Sequence, residues 1–136
     1  MPKPFAFLRQ MRLVREDDFR TVFREGARAR GASVVVVVRE NGLEHTRLGL
    51  SVGKAIWKSA VKRNRVRRIF RESFRLSYPE LPRGVDIVMI PAAPKLDPKL
   101  VDVQRELVAL SRRALEKRAA RVAAGGGARP AQGGRK

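Results

Sequence analysis

Val66, Ile69, Phe70 and Phe74 recur at i, i+3, i+4 and i+8, which is the apolar stripe of an α-helix. The spacing predicts a helix from about Ser59 or Ala60 to Ser77, ended by Pro79 and Pro82. Upstream, EDDFRTVFREG predicts a shorter helix with Phe19, Val22 and Phe23 on one side. Its three leading acids suit the positive helix start, and Gly26 suits the C′ position. The unbroken valines of Ser33 to Arg39 predict a strand buried on both faces. His45 to Val52 alternates, with Leu48, Leu50 and Val52 on one face. Asn41-Gly42 between these strands signals a hairpin, with a turn longer than two residues. Val85 to Pro91 reads as another buried strand. A last helix opens at Asp97 or Pro98, with Leu100, Val103, Leu107, Leu110, Ala114 and Leu115 at helical spacing.

The order is helix, strand, strand, helix, strand, helix, with room for one more short strand. That is an α+β fold, a small mixed sheet with helices packed on it. The 136 residues suffice for one domain. It covers residues 1–122 and begins with an irregular arm over 1–14, where Pro2 and Pro4 oppose helix and Phe5, Phe7 and Leu8 tuck inward. Residues 123–136, AAGGGARPAQGGRK, read as a flexible basic Gly-rich tail.

Charge changes the picture. The formal net charge is +18, a field that attracts nucleic acid or an anionic surface. It concentrates between Lys54 and Arg75, where Lys54, Lys58, Lys62, Arg63, Arg65, Arg67, Arg68, Arg71 and Arg75 face one acid, Glu72. Asn64, Arg68, Arg71 and Arg75 fall opposite the apolar stripe, and Arg67 borders that side. An ordinary solvated face mixes signs, because like charges one turn apart repel. Here Arg67–Arg71, Arg68–Arg71 and Arg71–Arg75 are like-charged neighbours. Lys58, Lys62, Arg63 and Arg65 also crowd the helix start, where cations are disfavoured unless a phosphate joins them. Lys62 and Arg63 edge toward the apolar stripe, so either they snorkel or the first turn is irregular. The pattern predicts a polyanion-binding face.

Other chemistries find little support. The chain has no cysteine, hence no disulfide or thiolate metal site. The longest apolar run, Val34 to Val38, is too short to cross a bilayer. The N-terminus has no hydrophobic segment of signal-peptide length, and a cytoplasmic location is expected. There is no Walker loop, no HExxH, and only one histidine, His45, beside a turn. The thirteen acids are scattered rather than grouped for metal chemistry. We expect no catalytic residue, metal site or small-molecule substrate on the protein itself. Few Asn or Gln residues are available to read bases, so backbone recognition of a folded RNA fits better than sequence-specific DNA binding. Trp57 either anchors its loop or stacks on a base, and anchoring is slightly favoured.

The run Ala60-Val61-Lys62-Arg63-Asn64-Arg65-Val66-Arg67-Arg68, continuing Ile69-Phe70-Arg71, resembles the RNR motif of the bacterial ribonuclease P protein subunit. Gly49 to Val52, GLSV, precedes it, and Asp18 to Gly26 is similar to the family's first helix with its FxxVFxxG pattern. The loop GKAIWKS is one residue longer than in many members. The resemblance spans about residues 10–120 and implies a left-handed β-α-β crossover. It implies an accessory to a ribozyme, in which a large RNA with bound Mg2+ removes the 5′ leader of precursor tRNA and the protein alone binds no metal. The partners would be ribonuclease P RNA and the leader, with no membrane. Lys54, Lys58, Lys62, Arg63, Asn64, Arg65, Arg67, Arg68, Arg71 and Arg75 would contact RNA, and Phe19 and Phe23 would line a leader cleft. The alternative is a basic ribosomal or RNA-chaperone protein with no enzyme association.

Overall fold

The computed structural model describes residues 11–13 and 15–124. The expectations for Phe5, Phe7, Leu8 and the tail beyond Ala124 lie outside the described residues. The elements are α1 (Glu16–Glu25), β1 (Ala27–Arg30), β2 (Val34–Glu40), β3 (Arg47–Leu50), α2 (Ala60–Ser77), β4 (Val85–Pro91) and α3 (Leu100–Ala123). The optional extra strand is β1, whose ARAR alternates buried and exposed.

The sheet order is β1-β2-β4-β3. β2 pairs antiparallel with β1 and β4, whereas β3 runs parallel to β4. This corrects the hairpin expectation, because β4 inserts between β2 and β3. Asn41 serves that insertion instead of a tight turn. Its amide donates to the His45 carbonyl at 3.2 Å and to Asp86 Oδ1 at 2.9 Å, and its backbone N–H donates to the Gly84 carbonyl. The outer edge of β3 is met by the arm, where Leu13 N–H donates to the Leu48 carbonyl at 2.8 Å.

Alternation splits the sheet into two faces. Val34, Val36, Val38, Leu48, Ile87 and Met89 form the larger core with Val66, Phe70 and Phe74 of α2 and Val103, Leu107 and Leu110 of α3. Val37 and Val88, on the other face, form a smaller core with Leu13 and Val22, against which Phe19, Phe23 and Ile90 pack. Continuous burial of the β2 valines follows from helices on both sides.

α2 takes the span its periodicity predicts, and the 3-10 turn Tyr78–Glu80 follows it. α3 opens at Leu100 rather than at Asp97 or Pro98, because Lys99 is extended and the preceding loop is tied elsewhere. Gly26 directly follows the last residue of α1 in extended conformation (φ −76°), and its N–H donates to the Val22 carbonyl. A Cβ there would lie 2.5 Å from the Val22 carbonyl oxygen and 2.9 Å from Val37 Cγ1, so glycine serves close approach of α1 to β2. Among the described residues no helix is long and apolar enough to cross a membrane.

Candidate nucleic-acid interface

The first turn of α2 is regular despite its charge. Ser59 Oγ accepts from Lys62 N–H at 3.3 Å, capping the helix. The two awkward cations fold back onto the preceding loop. Arg63 donates to the Trp57 and Lys58 carbonyls, both at 2.9 Å. Lys62 Nζ stands 4.4 Å from the Trp57 ring centroid, a cation–π contact. Trp57 is anchored, donating from Nε1 to the Leu96 carbonyl at 2.7 Å.

The predicted cations therefore divide. Lys54, Lys58, Lys62, Asn64, Arg65 and Arg68 are exposed, whereas Arg63, Arg67, Arg71 and Arg75 are half-buried. Arg67 donates to the Val52 carbonyl and to Asn64 Oδ1, both at 2.9 Å, fixing the end of the β3 segment against α2. Arg65 meets Asp97 at 3.6 Å with both side chains 67% exposed, a pair worth little. Arg75 grips Glu72 through two hydrogen bonds, which raise its pKa above the ordinary arginine value. Arg68 forms no hydrogen bond or ion pair among the described residues. It sits at the centre of the exposed surface, where uncompensated cations can meet phosphates.

The second surface lies across the sheet. Phe19 and Phe23 are half-buried, one turn apart on α1. Phe19 lies directly on Gly49, where a Cβ would meet its Cε1 at 2.7 Å. Phe23 has the Arg28 guanidinium 5.6 Å from its ring centroid. Arg28 and Arg30 share this face with Val37 and Val35, their partners in the β1–β2 register. The sequence analysis singled out neither arginine, and Arg30 donates to the Ala92 carbonyl at 2.6 Å. The ARAR alternation was the available signal, but four residues are a short one.

Ion pairs fix α1 along one edge. Arg47 holds buried Asp86 through two hydrogen bonds of 2.8 and 2.7 Å, and reaches Asp18 of α1 at 3.7 Å. Hydrogen bonding to Asp86 raises the Arg47 pKa further. At the other end Glu25 accepts from Arg39 at 2.8 Å. That bond holds the Glu25 carboxyl below the usual range against the opposing effect of burial. Burial would raise Glu40, but hydrogen bonds from Arg118 and its own backbone outweigh it and lower the pKa. Arg118 and Arg121 of α3 donate to the Glu25 carbonyl, an acceptor at the α1 C-terminus. The acids here bind arginines, and among the described residues no three His, Cys, Asp or Glu side chains gather as a metal site.

A sheet with a basic helix outside one core and an aromatic, basic helix–sheet face over the other defines a nucleic-acid-binding α+β module. The ribonuclease P family model matches residues 7–115. The ribonuclease P protein component of Haemophilus influenzae (strain PittGG) is 46% identical over 84 residues, covering 62% of this chain and 70% of that protein. That of Pseudomonas putida (strain KT2440) is 44% identical over 85 residues, covering 62% of this chain and 63% of that protein. The solved ribonuclease P protein of Thermotoga maritima superposes with a TM-score of 0.67 at 34% identity, covering 75% of this chain and 96% of that one. The chain belongs to the ribonuclease P protein family, the protein subunit of the ribonucleoprotein endoribonuclease of tRNA processing. The ribosomal or chaperone alternative is not favoured.

Proposed function

We propose that the two surfaces serve two RNAs in one complex. The exposed side of α2, centred on Asn64, Arg65 and Arg68 with Lys54, Lys58 and Lys62 at its start, takes ribonuclease P RNA. The face formed by Phe19, Phe23, Arg28 and Arg30 takes the single-stranded 5′ leader of precursor tRNA. The carrying observation is the pair of cores: α2 and α1 pack on opposite faces of one sheet. Aromatic rings beside guanidinium groups suit unpaired nucleotides, since rings stack on bases and cations meet phosphates. Arg63 and Arg67 act as positioning residues, holding the loop before α2. The magnesium of the reaction belongs to the RNA's phosphates. An activity of this kind, on precursor tRNA, belongs in the cytoplasm.

The test is reconstitution with a bacterial ribonuclease P RNA. Phe19→Ala should leave the protein folded and able to assemble, but lower affinity for leader-bearing tRNA relative to mature tRNA. Base–aromatic stacking sets the scale, about 1–3 kcal/mol per base. An unchanged leader ratio, with the melting temperature lowered, would return Phe19 to simple packing.

A further inference from the structure

The loop before α2 and the loop before α3 enclose a concave pocket of about 350 Å³. Four lysines line it, Lys54, Lys58, Lys62 and Lys95, together with the apolar Ile56, Trp57 and Pro94. No acid is among its lining residues. The nearby Asp97 is not among them and lies 3.6 Å from Arg65. Pro94 and Lys95 lie outside the basic stretch from Lys54 to Arg75, so only the fold brings them here.

The pocket is preformed. Lys95 N–H donates to the Ile56 carbonyl at 2.6 Å, and Trp57 Nε1 donates to the Leu96 carbonyl at 2.7 Å. These bonds lace the two loops into one unit. Lys95 holds φ of +58°, and it is the sole non-glycine residue with positive φ among the described residues. A lysine in that conformation is strained where glycine would be relaxed. The Lys95–Ile56 hydrogen bond holds that conformation, and with it a fourth lysine in the lining. Repulsion among four lysines is relieved by an anionic ligand, and the apolar lining calls for a ligand that also has a flat, poorly solvated part.

Resting on the reading that α2 binds RNA, we propose that this pocket takes one unstacked nucleotide of a bound RNA. Its base lies against the Ile56, Trp57 and Pro94 lining, and its flanking phosphates lie among the lysines. The volume falls in the range of small-ligand sites. A nucleotide satisfies both halves of the lining, whereas an acidic peptide satisfies the charge alone. The site opens beside the first turn of α2, so a strand entering it continues the surface of Asn64, Arg65 and Arg68.

Trp57 is the only tryptophan in the chain, and its emission reports on the pocket. Full-length protein is titrated with a bacterial ribonuclease P RNA, and separately with leader-bearing tRNA, while anisotropy of the labelled RNA records binding. The expected result is a saturable change in Trp57 emission at the anisotropy midpoint, and the RNA that produces it is the source of the nucleotide. Arg68→Ala should weaken binding but keep the emission change at saturation. Lys95→Gly relaxes the backbone, so its melting temperature should hold or rise. It should nevertheless weaken binding and lower the salt slope by about one. Binding by anisotropy with constant Trp57 emission would overturn the pocket and leave the α2 surface standing. No binding at all would remove both. A Lys95→Gly variant that binds as well as the parent would make Lys95 an ordinary strained turn, and an equal response to polyglutamate would give the pocket to acidic peptides. Either result overturns the proposal.

Discussion

The ring of Phe19 fills the space above Gly49. A Cβ at Gly49 would lie 2.7 Å from Phe19 Cε1 and 2.8 Å from Cζ, with Leu13 Cδ2 at 3.0 Å. A methyl group there must displace the ring, because Leu13 blocks the other side. Gly49→Ala should therefore cost about 1–3 kcal/mol, as overpacking does. It should also lower the preference for leader-bearing tRNA without touching Phe19 itself. Urea melts and the leader ratio of the reconstituted enzyme check both parts. A destabilised variant with full leader preference would show that the seat of Phe19 does not shape the cleft.

How much of this was legible in the sequence depends on the range of the interaction concerned. β4 was legible to the residue and α2 to within one residue at its start, because periodicity and proline punctuation are local. The strand order was not. Asn41-Gly42 is a local hairpin signal, yet β4, more than forty residues downstream, supplies the neighbour of both β2 and β3. The candidate basic residues were legible as charge but not as roles. Arg63 and Arg67 stand off the fully exposed side on a helical wheel, but only the path of residues 52–58 shows which carbonyls they bind. Asp86 reads as one polar residue in an apolar strand. Its partner Arg47 is set by the β3–β4 register.

That division predicts a contrast between neighbours. Arg68→Ala removes an exposed cation and leaves Val66, Ile69 and Phe70 to hold the helix. It should weaken binding to ribonuclease P RNA, lower the salt slope by about one, and leave stability within about 0.5 kcal/mol. Arg67→Ala strips the Val52 carbonyl of a hydrogen bond beside a buried side chain. Its stability should fall by about 1–3 kcal/mol. Equal melting curves for the two variants would remove the positioning role of Arg67.

The Glu25–Arg39 pair makes the docking of α1 pH-dependent. The folded pKa of Glu25 lies below the ordinary glutamate value of about 4.5. Its contribution is therefore complete above about pH 4.5 and is lost as pH falls through the lower folded value. Glu25→Gln should be less stable than the parent near neutrality by about 1–2 kcal/mol. The gap should close in acid, where the parent's carboxyl is protonated too. Denaturant melts at neutral and acidic pH measure it, and a gap that persists in acid would assign the loss to packing rather than charge.

The end of α3 is predicted to set α1. Arg118 bridges Glu40 of β2 and the Glu25 carbonyl, Arg121 joins the same carbonyl at 3.2 Å, and Lys117 donates to the Arg28 carbonyl at 2.8 Å. The last turns of α3 thus grip the end of α1 and the strand that carries Arg28. Residues 125–136 contain no large apolar side chain. A chain ending at Ala124 should keep the parent's melting temperature and leader preference. Arg118→Met keeps much of the apolar stem but removes both hydrogen bonds. It should cost about 1–3 kcal/mol, reduce leader preference, and leave affinity for ribonuclease P RNA unchanged, because α2 does not take part. Hydrogen exchange would locate the change, with faster exchange in α1 and parent-like protection in α2. Uniform loosening of both helices would mean that Arg118 supports the whole fold rather than the seat of the aromatic pair.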